Sequence, residues 1–301
     1  MVDTSDEWIR TRTGISERHI CTKDENNSDM VVGSCLKAME MSGKKPEDVE
    51  LLIVATVTPD YRLPSVSCLV QKKMGLVNSA TMDIVAACAG FLHGLSIANA
   101  FIKIGQYKCV MVVGVEKLSS ITNYNDRNTC VLFGDGAGAA VVEATDEDRG
   151  ILGTFMKSDG NLTKLLWIPD GGSKSPPQSL ENGDGDFCIN MAGSELFRHA
   201  VRQMGDASLK ALKVAGLESS DVSLLVPHQA NIRIIESTAK RLGLPMGKVF
   251  LNIEKYGNTS AASVPMALDE AVRHGHVKDG DIVLMTAFGG GLTWASAVIR
   301  W

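Results

Sequence analysis

An internal repeat runs through this chain at a spacing of 173 residues. The Leu-Lys-Ala segment at positions 36–38 recurs at 209–211, and the Leu-Leu pair at 51–52 recurs at 224–225. In both copies an amphipathic helix pattern leads through a glycine into a short apolar strand. A repeat of this size predicts a fold built from two similar α/β halves.

The repeat also predicts where the two halves meet. We expect an N-terminal half at residues 1–148 and a C-terminal half at residues 149–301. Apolar strands alternate with helices in both, which favours largely parallel sheets covered by helices on both faces. Residues 161–187 are rich in Gly, Pro, Ser and Asp. They predict a surface excursion, which could be a lid, a dimer arm or a variable loop.

The first half lacks one element that the second half has. The second half opens with an apolar strand at residues 150–156, which precedes a predicted helix at 192–215. The matching helix of the first half is predicted at 19–42, but residues 1–18 contain no good candidate for the preceding strand. We therefore expect an N-terminal strand to be missing, because the start was assigned too late or because the piece was removed.

Composition narrows the class of protein. The chain has 301 residues, of which 45% are apolar and 22% charged, as expected for a soluble globular protein. A net charge of −5 argues against a general nucleic-acid binder. No apolar run reaches the roughly 18–20 residues of a membrane span, and the first residues do not resemble a signal peptide. Seven cysteines without a CxxC pair favour reduced thiols and a cytoplasmic location over disulfides or a zinc site.

Three polar positions carry the candidate chemistry. Cys88 opens an apolar helix pattern, where free backbone N–H groups and the helix dipole are expected to lower the pKa of its thiol. His228 follows an apolar strand pattern, and Asn258 precedes the helix that the repeat pairs with the Cys88 helix. A nucleophile, an imidazole and a carboxamide are sufficient for acyl transfer. Because ligands of open α/β sheets bind beyond the carboxyl ends of the strands, we expect the three side chains to meet there.

A glycine triplet at residues 289–291 follows the last long apolar stretch. Glycine allows backbone N–H groups to approach a ligand closely. An N–H of the triplet, which we assign to Gly290, could hold a thioester oxyanion together with the N–H of Cys88. Close packing between the two halves is the alternative reason for the glycines, and both can hold.

These motifs, in this order, resemble β-ketoacyl-acyl-carrier-protein synthase III, a thiolase-fold condensing enzyme. The resemblance covers essentially the whole chain and includes the segments at 4–15, 86–91, 132–139, 228–231, 257–263 and 289–294. It implies a thiolase-like fold with a five-layered αβαβα core. The Cys-His-Asn set separates the chain from elongating synthases, which resemble Cys-His-His. No cysteine follows Cys188, whereas thiolases carry a second catalytic cysteine near the C-terminus.

The resemblance implies a two-step reaction that initiates fatty-acid biosynthesis. Cys88 attacks an acyl-CoA, most plausibly acetyl-CoA, and CoA leaves. Malonyl-acyl-carrier protein then enters, and His228 and Asn258 stabilise the enolate that forms as CO2 departs. The enolate attacks the acyl-cysteine and gives a 3-oxoacyl-carrier protein. The reaction requires no metal and no redox cofactor.

The resemblance also implies binding residues. Trp8 would stack on the adenine of CoA, Arg12 would pair with phosphate, and Arg127 would lie near the phosphates. Gly193 and Asn231 would line the pantetheine tunnel, with Phe133 and Phe288 beside the thioester. A basic patch around the tunnel mouth would dock the acidic carrier protein, and it comprises Arg233, Arg198, Arg202 and Lys240. Leu63 would reach across a homodimer into the partner's acyl pocket, where a leucine leaves room for branched or longer primers.

Three alternatives remain open at this stage. Papain-like proteases also order their residues as Cys, His and Asn, but the residues around Cys88 and the duplication do not fit them. A non-catalytic scaffold of the thiolase fold should have lost its nucleophile. A condensing enzyme of specialised metabolism, or one of the hydroxymethylglutaryl-CoA synthase type, would share the fold and differ in its acceptor.

Overall fold

The computed structural model describes residues 2–180 and 185–301. Two four-stranded sheets form its core. The first contains β1 (Leu51–Ala55), β2 (Ala80–Ile84), β3 (Cys109–Glu116) and β4 (Gly136–Glu143), in the order β2-β1-β3-β4. The second contains β5 (Gly150–Ser158), β8 (Leu224–Pro227), β9 (Ile282–Gly289) and β10 (Thr293–Arg300), in the order β5-β10-β9-β8. A short hairpin of β6 (Leu166–Trp167) and β7 (Asn190–Met191) lies between β5 and β8 in the chain.

The α-helices of the described chain are divided between the two halves. The first half contributes α1 (Asp6–Thr13), α2 (Asn27–Ser42), α3 (Val66–Met74), α4 (Gly90–Lys103) and α5 (Arg127–Cys130). The second contributes α6 (Gly193–Ala215), α7 (Ile232–Leu242), α8 (Ile253–Tyr256) and α9 (Ser263–Arg273). Helices α4 and α9 are buried between the two sheets, α2 and α3 cover the outer face of the first sheet, and α6 and α7 cover the second. The predicted five-layered αβαβα architecture is therefore confirmed.

The central layer explains why the repeat was visible in the sequence. Phe91 of α4 and Val264 of α9 join one apolar cluster that also takes in Ile53 from the first sheet and Met285 from the second. Each helix thus buries an apolar face against both sheets, while the end of α9 carries charged residues that reach the surface. The first sheet uses strands that end by residue 143, and the second uses strands that begin at residue 150. We propose the division at 148 and 149 on this basis.

The prediction of largely parallel sheets is wrong for the second sheet. Strands β8 and β9 are parallel, but β10 is antiparallel to both of its neighbours, β9 and β5. A three-residue turn, Gly290–Leu292, joins β9 to β10. So short a connection permits only an antiparallel pair, since a parallel pair needs a long crossover.

The first long helix begins later than its predicted start at residue 19. The α2 helix begins at Asn27, where the Asp29 carboxylate accepts the Asn26 N–H at 3.0 Å and so stabilises the helix start. The surface excursion predicted at 161–187 lies partly outside the described residues. Its described part includes β6, whose Leu166 and Trp167 turn toward a cavity at Cys88 rather than only toward solvent.

In the part of the chain that the structure describes, one edge of the first sheet lacks a strand that the second sheet has. In the second sheet β5 pairs with the outer edge of β10, and β4 occupies the place of β10 in the first sheet. No strand pairs with that edge of β4 in the described chain. That edge of β4 is the position that β5 occupies in the second sheet. No helix in the described part of the chain is long and apolar enough to cross a membrane.

Candidate active site

Cys88 lies in a strained turn between β2 and α4. It is buried at 7% exposure, in a one-turn 3-10 helix, Ala87–Ala89, that runs directly into α4. Ala87 has a φ of +43°, in the left-handed region, and the same holds for Ser260 and Leu292, with φ of +48° and +47°. These are the only non-glycine residues of the described chain with positive φ. Backbone strain of this kind, worth about 1–3 kcal/mol each, clusters at functional sites.

The glycine triplet packs against the thiol. A Cβ on Gly289 would lie 2.7 Å from the Cβ of Cys88 and 2.9 Å from its Sγ, so only glycine fits there. The backbone N–H groups of Gly290 and Cys88 both donate toward the sulfur. Cys88 and Gly290, whose N–H groups are predicted to form an oxyanion hole, thus both lie at the thiol.

The expected low pKa of the Cys88 thiol is not found. Burial, with a smaller contribution from the negative charge of Glu116, raises the pKa to about 11. Hydrogen bonds from the Ser260 hydroxyl and from the N–H groups of Cys88 and Gly290 lower it only in part. Desolvation of the thiolate outweighs these donors in the resting site. The sequence showed the helix start but not the depth at which the thiol is buried.

His228 is buried, at 1% exposure, directly after β8. Its Nδ1 lies 2.5 Å from the Ser263 hydroxyl oxygen, which also accepts a hydrogen bond from the Gln229 N–H at 3.3 Å. In the described chain the Ser263 hydroxyl hydrogen has no acceptor other than Nδ1. A buried hydroxyl needs such an acceptor, so Nδ1 accepts and Nε2 carries the proton. Burial lowers the pKa of His228 to about 3, which keeps the ring neutral.

Asn258 is held by its backbone and by its own side chain. It pairs with the segment around Phe133, since the Asn258 N–H donates to the Leu132 carbonyl at 2.9 Å and the Gly134 N–H donates to the Asn258 carbonyl at 3.0 Å. Its Oδ1 accepts the Ser260 N–H at 2.9 Å. With the oxygen so engaged, the amide NH2 is left as the donor group.

Two cavities meet at Cys88. The larger, of about 790 Å³, contains His228 and Asn258 as well as Cys88. The smaller, of about 320 Å³, is lined almost entirely by apolar groups. Cys88, Phe133 and Leu166 line both. The arrangement gives the thiol a polar approach on one side and an apolar chamber on the other.

The residues predicted to bind CoA line the larger cavity. These are Trp8, Arg12, Arg127, Gly193 and Asn231, and Phe288 lies there too, stacked on Trp294. Arg127 and Trp8 are in direct contact. The Arg127 guanidinium lies 4.1 Å from the centre of the Trp8 indole ring. Asn231 also caps α7, as its Oδ1 accepts the Arg233 N–H at 3.0 Å. Asn231 therefore has a structural role that the sequence reading did not assign.

The four basic residues of the predicted docking patch do not share one site. Arg233 lines the larger cavity, but Arg198 and Arg202 on α6 and Lys240 on α7 do not. All four are exposed. Arg202 also faces Asp206, 3.9 Å away, which offsets part of its charge. Leu63 is 87% exposed and lines neither cavity.

Three residues at the site escaped the sequence reading. Ser260 contacts the thiol, Ser263 orients His228, and Glu116 ends β3 beneath Ser260. A carboxylate that ends an otherwise apolar strand was a signal available in the sequence. In residues 2–180 and 185–301 no group of three or more His, Cys, Asp or Glu side chains is placed to hold a metal ion.

The fold and the convergence of a buried thiol, a neutral imidazole and an amide define a condensing acyltransferase of the thiolase type. Family models described as 3-oxoacyl-[acyl-carrier-protein] synthase III match residues 82–160, and those of its C-terminal part match residues 212–301. A β-ketoacyl-[acyl-carrier-protein] synthase III of Caldanaerobacter subterraneus is 52% identical over all of this chain and 91% of its own length.

Solved structures agree with the family models. The 3-oxoacyl-[acyl-carrier-protein] synthase III of Aquifex aeolicus superposes with a TM-score of 0.92 at 47% identity, over 99% of this chain and 92% of that one. The priming β-ketosynthase of the R1128 polyketide pathway superposes with a TM-score of 0.93 at 40% identity, over 99% and 88%. The chain belongs to the β-ketoacyl-[acyl-carrier-protein] synthase III family. It is thus an acyltransferase that carries out the condensation initiating fatty-acid synthesis.

Proposed function

We propose that Cys88 takes a short acyl group from an acyl-CoA, acetyl-CoA in the simplest case, and that His228 and Asn258 then drive its condensation with malonyl-acyl-carrier protein. The observation that carries this proposal is the position of Cys88 where two cavities meet. The larger cavity contains both donor side chains, and the smaller accepts an apolar chain.

In the first step the Cys88 sulfur attacks the thioester carbonyl. The carbonyl oxygen becomes an oxyanion, which the N–H groups of Cys88 and Gly290 would stabilise, and CoA leaves as its thiolate. Preformed donors of this kind cost no reorganisation during the reaction, and removing one typically costs about 100-fold in rate or more. The tight fit of Gly289 against Cys88 supports this step, because it holds the Gly290 N–H in place.

In the second step the malonyl thioester loses CO2. The electrons left on carbon delocalise into the thioester carbonyl, and the resulting enolate oxygen would accept hydrogen bonds from His228 Nε2–H and from the Asn258 amide. The neutral imidazole supports this role, because a donor that does not hold an extra proton stabilises the enolate without quenching it. The enolate carbon then attacks the acyl carbonyl on Cys88 and releases a 3-oxoacyl-carrier protein. No metal or redox cofactor takes part in this route.

Both substrates would enter through the larger cavity. We assign the adenine of CoA to the flat surface made by Trp8 and Arg127, and a phosphate to Arg12, since arginine pairs well with phosphate. Gly193 and Asn231 would flank the pantetheine arm. Arg233 at the mouth is the best-placed contact for an acidic carrier protein. Three basic residues would extend this surface, namely Arg198, Arg202 and Lys240.

A homodimer would complete the acyl chamber. Strand β2 is an edge strand, and Val85 directly after it is 78% exposed although it lines the smaller cavity. Asp83 on β2 accepts hydrogen bonds from the N–H groups of Val66 and Ser67, which brings the segment of Leu63 to the same edge. We propose that two copies meet here and that each Leu63 enters the partner's chamber.

The free cysteines are consistent with the reducing cytoplasm.

Two variants test whether His228 and Asn258 act in condensation rather than in the acetylation of Cys88. His228→Ala and Asn258→Ala should retain most of the acetylation of Cys88 but lose condensation with malonyl-carrier protein by about 100-fold or more. Acetylation is read from intact-protein mass, and condensation from the 3-oxoacyl-carrier product. Equal loss of both steps in the two variants would show that the roles are assigned wrongly.

A second candidate is priming of a specialised pathway. The likeness to a priming polyketide synthase favours it, as does an apolar chamber of about 320 Å³. Competition between acetyl-CoA and branched or longer acyl-CoA primers distinguishes the two. Transfer to acetoacetyl-CoA in place of malonyl-carrier protein would instead indicate an enzyme of the hydroxymethylglutaryl-CoA synthase type.

A further inference from the structure

A buried carboxylate lies beneath the active site. Glu116 is the last residue of β3, is fully buried at 0% exposure, and follows seven strand residues that carry no charge. An isolated charge is costly to bury, so such a group needs partners. Its partners are four donors: the Thr58 hydroxyl at 2.7 Å, the Val57 N–H at 3.1 Å, the Thr56 hydroxyl at 3.2 Å and the Ser260 hydroxyl at 3.4 Å.

The directions of these hydrogen bonds are determined by their neighbours. The Thr58 hydroxyl oxygen accepts from the Lys117 N–H and from the Asn27 amide, so its own hydrogen is free for Glu116. The Thr56 hydroxyl oxygen accepts from the same amide and from the Thr58 N–H. Both threonines therefore donate to Oε2 of Glu116. Oε1 faces Ser260, the partner whose hydrogen bond can reverse.

Ser260 connects Glu116 to the nucleophile. Its hydroxyl lies 3.4 Å from Glu116 Oε1, and Ser260 and Cys88 line the same cavity. Its strained backbone, with a φ of +48°, holds it between the two. Gly114 allows this approach, because a Cβ there would lie 2.1 Å from the Ala261 carbonyl oxygen. A continuous path thus leads from the sulfur to a buried carboxylate.

Other charged groups near this path are engaged elsewhere. Lys117 directs its ammonium to the backbone carbonyls of Thr22 and Glu25. The Asp135 carboxylate accepts from Ser119 and from the Cys21 N–H. The elements packed on Glu116 from β1 and from α2 contribute threonines and an asparagine. In the described chain Cys88 is therefore the titratable group that faces Glu116.

The pKa values of Glu116 and Cys88 are compatible with the transfer of one proton between them. Burial raises the pKa of Glu116 to about 7, although its four donors lower it in part. The carboxyl can therefore be present in either form near neutral pH. The thiol, with a pKa of about 11, does not lose its proton to water at that pH. A nearby proton acceptor would allow the thiol to react without first losing its proton to water.

We propose that Glu116, acting through the Ser260 hydroxyl, takes the proton of the Cys88 thiol during acyl transfer and returns it after condensation. As the sulfur bonds to the acyl carbon, the thiol proton passes to Ser260 Oγ and the Ser260 proton passes to Glu116 Oε1. The negative charge of Glu116 ends on the CoA thiolate that leaves. Because Glu116 reaches the sulfur only through Ser260, it is a positioning residue. The proposal rests on the proposed acylation of Cys88.

The second half-reaction restores the proton. Attack of the enolate on the acyl group breaks the bond between acyl carbon and sulfur, and Cys88 leaves as a thiolate. Glu116 then donates to Ser260 Oγ, which donates to the sulfur, and the carboxylate is regenerated. One proton from solvent is taken up by the departed CoA thiolate. Atoms and charge balance over the cycle without a further reactant.

The experiment measures single-turnover acetylation of Cys88 against pH. Wild type is compared with Glu116→Gln, with Ser260→Ala, and with Asp135→Asn, a matched control that changes another buried carboxylate to an amide. Ser260→Ala breaks the path but leaves the other three donors of Glu116 in place, so it still tests the path if Glu116→Gln fails to fold. Alkylation of Cys88 by iodoacetamide is measured in parallel, since it requires the thiolate but releases no leaving thiolate.

We expect acetylation of wild type and Asp135→Asn to rise with pH through a midpoint near 7. Glu116→Gln and Ser260→Ala should lose this midpoint and react about tenfold or more slowly at pH 8. Alkylation should slow in the same two variants, because it too requires the thiol to give up its proton. An unchanged midpoint in Glu116→Gln, or faster acetylation at every pH, would overturn the proposal.

One further arm separates this proposal from the proposed substrate. Acetylation is repeated with S-acetyl-N-acetylcysteamine, a thioester that lacks the nucleotide of CoA. If only this donor acetylates wild type, CoA is not the primer carrier, and the pH profiles with the small donor decide the role of Glu116. If both donors react and the variants match wild type with each, Glu116 is not the acceptor.

Discussion

Backbone strain near the Cys88 thiol is concentrated in three residues of the turns that build the site. Ala87 precedes the nucleophile, Ser260 contacts it, and Leu292 ends the turn that carries Gly290. Each holds a left-handed backbone that is unfavourable for a residue with a Cβ. The surrounding packing must compensate for this cost, which means that the donors around the sulfur are set before substrate binds.

Ser263→Ala tests whether the Ser263 hydroxyl sets the tautomer of His228. Without this hydroxyl, Nδ1 loses its donor and Nε2 no longer carries the proton in every molecule. We expect condensation to slow by about tenfold, the equivalent of about 1.4 kcal/mol, while acetylation of Cys88 changes little. Ser263→Thr keeps the hydroxyl and should recover most of the rate. Nitrogen NMR of labelled histidine reads the tautomer, and an unchanged Nε2–H signal in Ser263→Ala would refute this role.

His228 makes stability depend on pH in a predictable direction. Its folded-state pKa of about 3 lies below the ordinary value of 6.5, so the unfolded chain binds the additional proton first. The stability contributed by the neutral ring is present above pH 6.5 and is lost as pH falls toward 3. Between pH 7.5 and 5, wild type should lose about 2 kcal/mol more than His228→Gln. Urea unfolding at the two pH values measures this, and identical losses in both proteins would contradict it.

At the scale of elements, close contact between β3 and the start of α9 joins the halves. Gly114→Ala should destabilise the protein by about 3 kcal/mol, because the new methyl would meet the Ala261 carbonyl at 2.1 Å. Gly33→Ala is the matched control, since a Cβ on Gly33 in α2 has no neighbour within 4 Å. It should stabilise by about 0.5–1 kcal/mol. Denaturant unfolding compares them, and equal effects would contradict this packing.

Strands β4 and β10 correspond in the two sheets but differ in pairing. Strand β10 has a partner on both sides, whereas β4 has a partner only on the β3 side in the described chain. We expect amides of β4 to exchange with deuterium at least about tenfold faster than those of β10. Hydrogen exchange read by mass spectrometry on peptides from 136–143 and 293–300 measures this. Equal protection of the two strands would mean that something covers the β4 edge.

The elements also show what the sequence could predict. The repeat located both central helices and the strands that begin at Cys109 and Ile282, because the strands are apolar runs and the helices carry apolar faces that must be buried. It did not predict the antiparallel course of β10, which depends on a three-residue turn rather than on periodicity. The late start of α2 depends on the hydrogen bond from the Asn26 N–H to the Asp29 carboxylate, a local interaction that the apolar pattern does not predict.

At the scale of the whole molecule, the active site exists because the halves are paired back to back. The thiol comes from the first half, and the imidazole and the amide come from the second. The sequence predicted this convergence from the repeat and the strand ends. It did not predict the burial that raises the pKa of Cys88, nor the path to Glu116, since both depend on contacts between segments distant in the chain.

The measurement that tests this account most directly is the intact-protein mass after mixing with acetyl-CoA, with Cys88→Ser as control. The account predicts a single acetyl adduct on wild type and none on Cys88→Ser, which follows from a thiol that lies where a polar cavity meets an apolar one. Subsequent addition of malonyl-carrier protein should remove the adduct. An adduct of equal amount on Cys88→Ser, or no adduct on folded wild-type protein, would contradict the central role given to Cys88 and its primer.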